Sequence, residues 1–263
     1  MKYDYDLITI GLGPAGMAVS VMGSAMGLKV CAIEKNKIGG ECMNVGCIPS
    51  KSLLRMAKTR ALFDKLAVME LESLPKPGVK EPFKQISGYL QFINDQKTRK
   101  MFDQVDLILG EGEAKFVDPH TVSVGNKKIS ARKIFIATGT EPMVPPIPGI
   151  ESIDILTNTN IFNLDKIPES LTIIGGGAIG CEMAQAMARL GAKCTIVQMD
   201  PHLVPVGDPE AGALLEEVFR KEGIGVYNQK KITRVVQEGG DVALYTEDGL
   251  VVRAGQPRIE SDR

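Results

Sequence analysis

The chain contains the same order of apolar, glycine and small residues twice. DLITIGLGPAGMAVS begins at residue 6 and SLTIIGGGAIGCEMA begins at residue 170, and each joins a short apolar run to a glycine-rich stretch and then to small and apolar residues. A short apolar run bounded by glycine is typical of a buried strand, and the residues after the glycines favour a helix. Each segment therefore predicts a strand, a tight turn and a helix.

The two copies keep one register, with an offset of 164 residues from Gly11 to Gly175. The matching positions are Gly11 with Gly175, Gly13 with Gly177 and Gly16 with Gly180. A second strand follows at matched spacing, KVCAIE ending on Glu34 and KCTIVQ ending on Gln198. This repeat predicts an α/β fold with two Rossmann-like dinucleotide-binding domains, each with a central parallel sheet and a small antiparallel β-meander.

Each glycine turn matches G-x-G-x-x-G, the pattern of a dinucleotide-binding turn. The first glycine makes the tight turn, the second lets the backbone approach a pyrophosphate, and the third allows close packing of helix and strand. The helix that follows offers backbone N–H groups and a positive dipole end to the phosphates. The residues expected to contact the two dinucleotides at these turns are Gly11, Gly13, Pro14, Ala15 and Gly16, and Gly175, Gly177, Ala178, Ile179 and Gly180.

The last residues of the second strands bear on which nucleotide binds. Glu34 lies where a carboxylate accepts hydrogen bonds from the hydroxyls of an adenosine ribose. Gln198, its counterpart, lacks the charge that would repel a 2′-phosphate, but no arginine follows it in QMDPHLVPV to bind such a phosphate. We therefore expect NAD(H) in the second domain, with NADP(H) as the alternative.

The region between the repeats predicts helices and then strands. Residues 50–70 and 83–102 are expected to be helical, and 105–118, 120–126 and 127–139 to form strands joined by short polar turns. The proline-rich run EPMVPPIPGIES then interrupts the periodicity and predicts a stiff connector.

We accordingly expect three segments along the chain. Residues 1–145 would form a first dinucleotide-binding domain, 146–152 the connector, and 153–263 a second dinucleotide-binding domain.

Composition and charge indicate an ordinary globular protein with no affinity for polyanions. Hydrophobic residues make up 44% and charged residues 24% of the chain, and the formal net charge is −1. No global field would therefore attract nucleic acid or an anionic membrane. The N-terminal stretch MKYDYDLITIGLG lacks the features of a signal peptide, so we expect a cytoplasmic protein.

The five cysteines fall into two groups. Cys31 and Cys194 lie in strand-like apolar runs and are expected to be small buried hydrophobes, and Cys181 to pack at the start of a helix. Cys42 and Cys47 instead lie in the glycine-containing loop GGECMNVGCIPSK, ahead of a predicted helix. A thiol near a helix N-terminus is stabilised as a nucleophilic thiolate. The spacing fits no zinc-ligand pair, and we expect no metal site.

Three strings resemble the pyridine nucleotide–disulfide oxidoreductases, a class that includes dihydrolipoamide dehydrogenase, glutathione reductase and mercuric reductase. They are GGECMNVGCIPSK after the first glycine turn and Glu34, IFIATGTEP before the connector, and GGGAIGCEMA at the second turn. The resemblance spans the chain and implies FAD in the first domain and NAD(P)H in the second. It further implies that residues 1–145 are an FAD-binding domain that lacks its C-terminal segment and that 153–263 are an NAD(P)-binding domain that lacks its last strand.

The resemblance also implies roles for individual residues. Cys47 would face the flavin and Cys42 would exchange with the substrate, while Lys51 would lie beside the reactive edge of the flavin with Glu182 as its ion-pair partner. A carboxylate nearby would keep a buried lysine charged. The further FAD contacts implied in this way are Lys35, Gly40, Glu41, Cys42, Lys51, Ala114, Ala137, Thr138 and Gly139.

The function expected from the resemblance is a flavoprotein disulfide reductase of the dihydrolipoamide dehydrogenase type. It would pass electrons from NAD(P)H through FAD to the Cys42–Cys47 disulfide and on to a small or protein-bound disulfide acceptor. The alternatives are a mercuric reductase-like or glutathione reductase-like enzyme, or an electron-transfer module without disulfide chemistry. In the family pattern, a second FAD-contacting segment and a dimerisation domain follow the part that matches this chain. The resemblance therefore implies that the full-length form is a homodimer and that the 263-residue chain is not fully active alone.

Overall fold

A computed structural model describes residues 3–255 and 259–261. The chain divides into two compact units. The first comprises the residues up to Pro49 together with Ser87–Glu141, and the second comprises Ser50–Ile86 together with the residues from Pro142 onward.

The first unit contains a six-stranded sheet with the order β3-β2-β1-β6-β5-β4. Its strands are β1 (Tyr5–Ile10), β2 (Val30–Glu34), β3 (Asp106–Leu109), β4 (Lys115–Asp118), β5 (Thr121–Val124) and β6 (Lys127–Ile136). Strands β3, β2, β1 and β6 are parallel. Strands β4 and β5 extend the sheet from β6 as an antiparallel meander.

The apolar runs of the first repeat are buried on both faces of this sheet. Successive residues of a strand point to opposite faces, and Leu7 and Ala32 belong to one apolar cluster whereas Ile8 and Ile33 belong to another. Burial on both faces explains why these strands are apolar throughout rather than alternating.

The second unit contains two separate sheets. The parallel sheet has the order β10-β9-β8-β14-β7 and comprises β7 (Ile155–Leu156), β8 (Ser170–Ile174), β9 (Lys193–Val197), β10 (Gly225–Tyr227) and β14 (Ile259–Ser261). The antiparallel sheet comprises β11 (Ile232–Glu238), β12 (Asp241–Thr246) and β13 (Val251–Gly255). A parallel sheet with an antiparallel meander in each unit confirms the predicted fold class.

Six α-helices accompany these strands within the described residues. They are α1 (Pro14–Ala25), α2 (Gly40–Asn44), α3 (Cys47–Ala61), α4 (Pro82–Ile93), α5 (Ala178–Leu190) and α6 (Pro209–Lys221). The helix expected over 50–70 is α3 followed by 3₁₀ turns at Leu62–Lys65 and Ala67–Met69, and the helix expected over 83–102 is α4 followed by a π-helical turn and a 3₁₀ turn.

Strand β14 was not expected from the sequence. The three-residue β14 pairs in parallel with both β7 and β8, and the expectation that the second domain lacks its last strand stays a prediction. The segment Ser50–Ile86 groups with the second unit, although the predicted first domain runs to residue 145. The assignment of the two units to FAD and NAD(P) stays a prediction.

Among the residues that the structure describes, no helix is long and apolar enough to cross a membrane. The cytoplasmic location stays a prediction.

Candidate functional site

The first glycine turn has a backbone that only glycine can form. Gly11 has φ of +92°, and a β-carbon on it would lie 2.3 Å from the carbonyl oxygen of Ala137. A β-carbon on Gly16 would lie 1.9 Å from the carbonyl oxygen of Gly11. These contacts give the first and third glycines the roles that the motif predicts, a tight turn and a close helix–strand approach.

The start of α1 is open to a phosphate. Its N-cap residue is Gly13, so no side chain caps the first turn, and Pro14 follows at the first helical position. A β-carbon on Gly13 would meet only the Cα atom of Gly40, at 3.9 Å. Pro14 and Ala15 are exposed. Backbone N–H groups without a side-chain cap, at the positive end of a helix, are the donors that a pyrophosphate requires.

Glu34 is fixed by two backbone N–H groups. Its Oε2 accepts from Leu12 N at 2.8 Å, and its Oε1 accepts from Asn36 N at 2.8 Å. The side chain is buried, with 9% of the residue exposed. Each carboxylate oxygen has a second lone pair, so the carboxylate is held in one orientation and can still accept a hydrogen bond from a ribose hydroxyl.

The cysteine loop lies directly against this turn. Gly39 N donates to Leu12 O at 2.7 Å. Gly40 has φ of +54°, and a β-carbon on it would lie 2.6 Å from the Cα atom of Gly13. Two glycine backbones in contact therefore join the segment that carries the cysteines to the segment that faces a dinucleotide phosphate.

Within the loop, the chain turns back on itself between Cys42 and Cys47. Val45 N donates to Glu41 O at 2.9 Å and ends the short helix α2. A β-carbon on Gly46 would lie 3.0 Å from Glu41 O and 3.1 Å from the Cα atom of Cys42. Gly46 thus packs on the backbone of Cys42, which brings the next residue, Cys47, to the same end of the loop. Cys42 is half-buried and Cys47 is exposed.

The other positions expected to contact FAD lie around the ends of β2 and β6. Ala137 N donates to Ile10 O at 2.7 Å, and the following Thr138 and Gly139 are exposed. Lys35, directly after Glu34, does not point to that carboxylate, because its ammonium bonds to Glu113 at 3.0 Å.

The hydrogen bond between the Lys35 ammonium and the Glu113 carboxylate raises the pKa of Lys35 and lowers the pKa of Glu113. Ala114, next to Glu113, is half-buried against the apolar cluster of the sheet, and Glu41 is exposed.

The second glycine turn reproduces the first. Gly175 has φ of +104° and donates its N–H to Val197 O at 2.9 Å. Gly177 is the N-cap of α5, with φ of −72° and ψ of −172°, close to the −69° and −175° of Gly13. Ala178 and Ile179 are exposed at the start of α5, and no side chain caps that helix either. The second unit therefore has the same open helix end.

Gln198 takes the place of Glu34 at this turn. Its Oε1 accepts from Gly176 N and from Met199 N, both at 3.2 Å. Its Nε2 donates to Asp200 Oδ2 at 3.1 Å. Two backbone donors on the amide oxygen fix the orientation of the side chain and direct the amide nitrogen to the carboxylate.

Two residues beside this turn have left-handed backbones although they are not glycine. Val204 has φ of +46° and donates its N–H to Gly176 O at 2.7 Å, and Gln229 has φ of +56° and donates to Asp200 O at 3.1 Å. For a β-branched residue such a conformation costs about 1–3 kcal/mol and persists only where its surroundings enforce it. Strained backbone thus surrounds the glycine turn and the Gln198–Asp200 pair.

Lys51 and Glu182 form the ion pair that the resemblance implied. Lys51 Nζ lies 2.6 Å from both carboxylate oxygens of Glu182. A buried lysine was expected here, but the side chain of Lys51 is 59% exposed and that of Glu182 is 31% exposed. An exposed pair of this kind stabilises the fold by about 0.2–1 kcal/mol, so stability alone gives little reason for it.

The three remaining cysteines are buried. Cys31 and Cys194 lie within strands, and the thiol of Cys181 lies 3.4 Å from Gly176 O. Burial, with a smaller effect of the nearby Asp106, raises the pKa of Cys31 to about 12, so this thiol stays protonated and unreactive. Among the described residues, no group of three His, Cys, Asp or Glu side chains is arranged to hold a metal ion.

The structure thus brings together most of the residues predicted from sequence within each unit, and it adds several residues that were not among those predictions. Leu12 and Gly176 supply the N–H groups that hold Glu34 and Gln198. Gly46 lies within the loop GGECMNVGCIPSK and Asp200 lies two residues after Gln198, but neither is among the residues predicted to contribute to the site. The constant offset could have identified Asp200, because it aligns with Asn36.

Each unit has an open glycine turn with a polar side chain fixed at the end of its second strand, and in the first unit a loop with two cysteines packs on that turn. The family model for pyridine nucleotide-disulphide oxidoreductases matches residues 5–257, and the chain belongs to this family. Membership implies the use of a flavin and a pyridine nucleotide.

Individual relatives cover nearly all of this chain. It is 35% identical over 261 residues to the mercuric reductase of Lysinibacillus sphaericus and 33% identical over 272 residues to the dihydrolipoyl dehydrogenase of Thermus scotoductus. These alignments cover 99% and 97% of this chain but 47% and 58% of the relatives. The chain therefore spans about half the length of the curated relatives it matches.

A solved structure shows the same fold. The copper(II) complex of a variant of the HOCl-induced flavoprotein disulfide reductase RclA from Escherichia coli superimposes with a TM-score of 0.85 at 26% identity. The match covers 100% of this chain and 57% of that chain.

Proposed function

We propose that this chain is the cofactor-binding part of a flavoprotein disulfide reductase that passes electrons from NADH through FAD to a disulfide between Cys42 and Cys47. The observation that carries the proposal is the docking of the cysteine loop on the first glycine turn, through Gly39 N to Leu12 O and the contact of Gly40 with Gly13. A loop with a purely structural role would not need to touch the backbone that faces a phosphate.

The residues of the first unit fit FAD. The first turn of α1 has N–H groups for the pyrophosphate, and the fixed carboxylate of Glu34 accepts from ribose hydroxyls. The exposed Thr138 and Gly139, together with Lys35, Glu41 and Ala114, are assigned to the cofactor by the family pattern. When bound, FAD takes up a hydride and releases electrons to a disulfide.

The residues of the second unit fit a nicotinamide dinucleotide. The open start of α5 accepts the pyrophosphate, and Gln198 is held where the adenosine ribose is bound in this type of fold. No lysine or arginine follows Gln198 before residue 207, which favours NAD(H) over NADP(H).

The two cysteines have different tasks. Two electrons and two protons convert the Cys42–Cys47 disulfide into two thiols, and one NADH with one proton supplies them. The Cys42 thiolate then attacks an external disulfide and forms a mixed disulfide, which Cys47 resolves as the acceptor leaves reduced and the intramolecular disulfide re-forms.

Lys51 and Glu182 are assigned to the flavin. The Lys51 ammonium provides positive charge where electrons enter the cofactor, and Glu182 holds that ammonium in position through two hydrogen bonds. We expect the acceptor to be a disulfide of the lipoamide type and the full-length form to be a homodimer. Because the chain is 35% identical in sequence to a mercuric reductase, mercuric ion is the second acceptor to assay.

The number of electrons that the protein accepts tests this proposal. FAD-loaded protein titrated with NADH without oxygen should consume about two NADH per flavin, one for the flavin and one for the disulfide, and Cys47→Ser should consume about one. One NADH per flavin in the parent would support an electron-transfer module without disulfide chemistry and overturn the proposal.

A further inference from the structure

The two nucleotide turns differ in where they place a negative charge. In the first unit the carboxylate belongs to Glu34, and Asn36, two residues later, donates its backbone N–H to it. In the second unit the amide of Gln198 replaces this carboxylate, and the residue aligned with Asn36 is Asp200. The second turn therefore also has a carboxylate, but it lies two residues further along the chain than the carboxylate of the first turn.

The hydrogen bonds at Gln198 hold this displaced carboxylate in place. The N–H groups of Gly176 and Met199 both donate to the amide oxygen of Gln198, which fixes the orientation of the amide. The amide nitrogen therefore faces Asp200, and it donates to Asp200 Oδ2 at 3.1 Å. The backbone of Asp200 is fixed as well, because its carbonyl accepts from the strained Gln229. Gln198 therefore orients a carboxylate at the ribose end of the turn.

The cations nearby do not neutralise this carboxylate. The segment QMDPHLVPV contains no lysine or arginine. Lys230 donates its backbone N–H to the carbonyl of Gln198 at 2.9 Å, but its ammonium is hydrogen-bonded to Asp248. The carboxylate thus lacks a cationic partner among these neighbours, and the site keeps its negative potential.

We propose that Asp200, oriented by Gln198, is the residue that selects NADH against NADPH. A carboxylate can accept a hydrogen bond from the 2′-hydroxyl of NADH, whereas the 2′-phosphate of NADPH carries a charge of about −1.5 to −2 and is repelled. This assignment rests on the proposed function, in which the second glycine turn binds a nicotinamide dinucleotide. The prediction of NAD(H) from sequence, by contrast, rests only on Gln198 and on the lack of an arginine after it.

The change Asp200→Asn removes the negative charge of this side chain and should leave the structure of the loop unchanged. The amide oxygen of asparagine can still accept from Gln198 Nε2, so the loop should keep its conformation while the charge is removed. Asp200→Ser is a second variant of smaller volume, and Asp165→Asn is the matched control, because it removes an exposed carboxylate elsewhere in the same unit.

To test the proposal, the dissociation constants of NADH and NADPH are measured by titration calorimetry for the parent and the three variants. We expect the parent and Asp165→Asn to prefer NADH, and Asp200→Asn and Asp200→Ser to bind NADPH about tenfold more tightly than the parent does, equivalent to about 1.4 kcal/mol. Adenosine 2′,5′-bisphosphate should show the same gain over AMP, because it carries the discriminating phosphate without the nicotinamide.

Two results would contradict the assignment in different ways. If both nucleotides bind and the ratio of their constants is the same in the parent and in both Asp200 variants, the selection by Asp200 is wrong while the nucleotide site remains. If neither nucleotide binds to correctly folded parent, the proposed function of the second turn fails and the assignment fails with it.

Discussion

Hydrogen bonds from backbone N–H groups fix the orientation of the polar side chains at both glycine turns. Glu34 and Gln198 occupy equivalent positions, and each accepts from the N–H of the central residue of its glycine turn. Their positions could be predicted from the 164-residue offset, but their partners could not. Whether Asp200 meets Gln198 depends on a side-chain rotamer, and sequence spacing does not determine it.

A pH-dependent contribution to stability is expected at Asp248. The Lys230 ammonium, with help from the Thr246 hydroxyl, lowers the pKa of this carboxyl from 3.8 to about 2. A lowered pKa in the folded state gives stability that is fully present above about pH 4 and is lost as the pH falls toward 2. Asp248→Asn removes this contribution.

The difference in unfolding free energy between parent and Asp248→Asn should therefore be constant above about pH 4 and shrink between pH 4 and 2. Urea denaturation at a series of pH values measures it. In a Lys230→Met background the difference should be smaller throughout, because the main cause of the shifted pKa is gone. A difference that does not change with pH would show that the carboxylate of Asp248 has no such role.

Among the elements, the cysteine loop depends most on the shape of its backbone. Gly40 touches Gly13 and Gly46 touches Cys42, so two glycines set both the place and the curvature of the loop. The sequence identified the loop and its two cysteines, because their spacing is local. It could not show which backbone the loop packs against, because Gly13 is 27 residues away along the chain.

We expect Gly46→Ala to impair closure of the Cys42–Cys47 disulfide. The added methyl group would lie 3.0 Å from Glu41 O and 3.1 Å from the Cα atom of Cys42, and relief of this contact widens the loop. Such overpacking costs about 1–3 kcal/mol, and a strained disulfide is reduced more easily. Redox titration with dithiothreitol, followed by thiol counting, measures the fraction that is closed.

Gly88→Ala in α4 is the control for this change. A β-carbon there meets no atom within 4 Å, and alanine should stabilise the helix by about 0.5–1 kcal/mol with no effect on the disulfide. If Gly46→Ala closes its disulfide at the same dithiothreitol ratio as the parent and as Gly88→Ala, the packing of Gly46 on Cys42 has no bearing on the cysteine pair.

For the whole molecule, the sequence predicted the repeated unit and the α/β class because both follow from local periodicity. Details that depend on contacts distant in sequence were not predictable. The apolar content of residues 255–263 is too low to signal β14, yet its backbone pairs between β7 and β8. The segment Ser50–Ile86 groups with the second unit, although α3 begins in the cysteine loop of the first.

The central claim is that the first glycine turn holds a flavin against the sulfur of Cys47. The most direct measurement is the visible absorption spectrum of FAD-loaded protein after partial reduction without oxygen, recorded for the parent and for Cys47→Ser. We expect a long-wavelength thiolate–flavin charge-transfer band in the parent and none in Cys47→Ser. Identical spectra without that band in both proteins would contradict the claim.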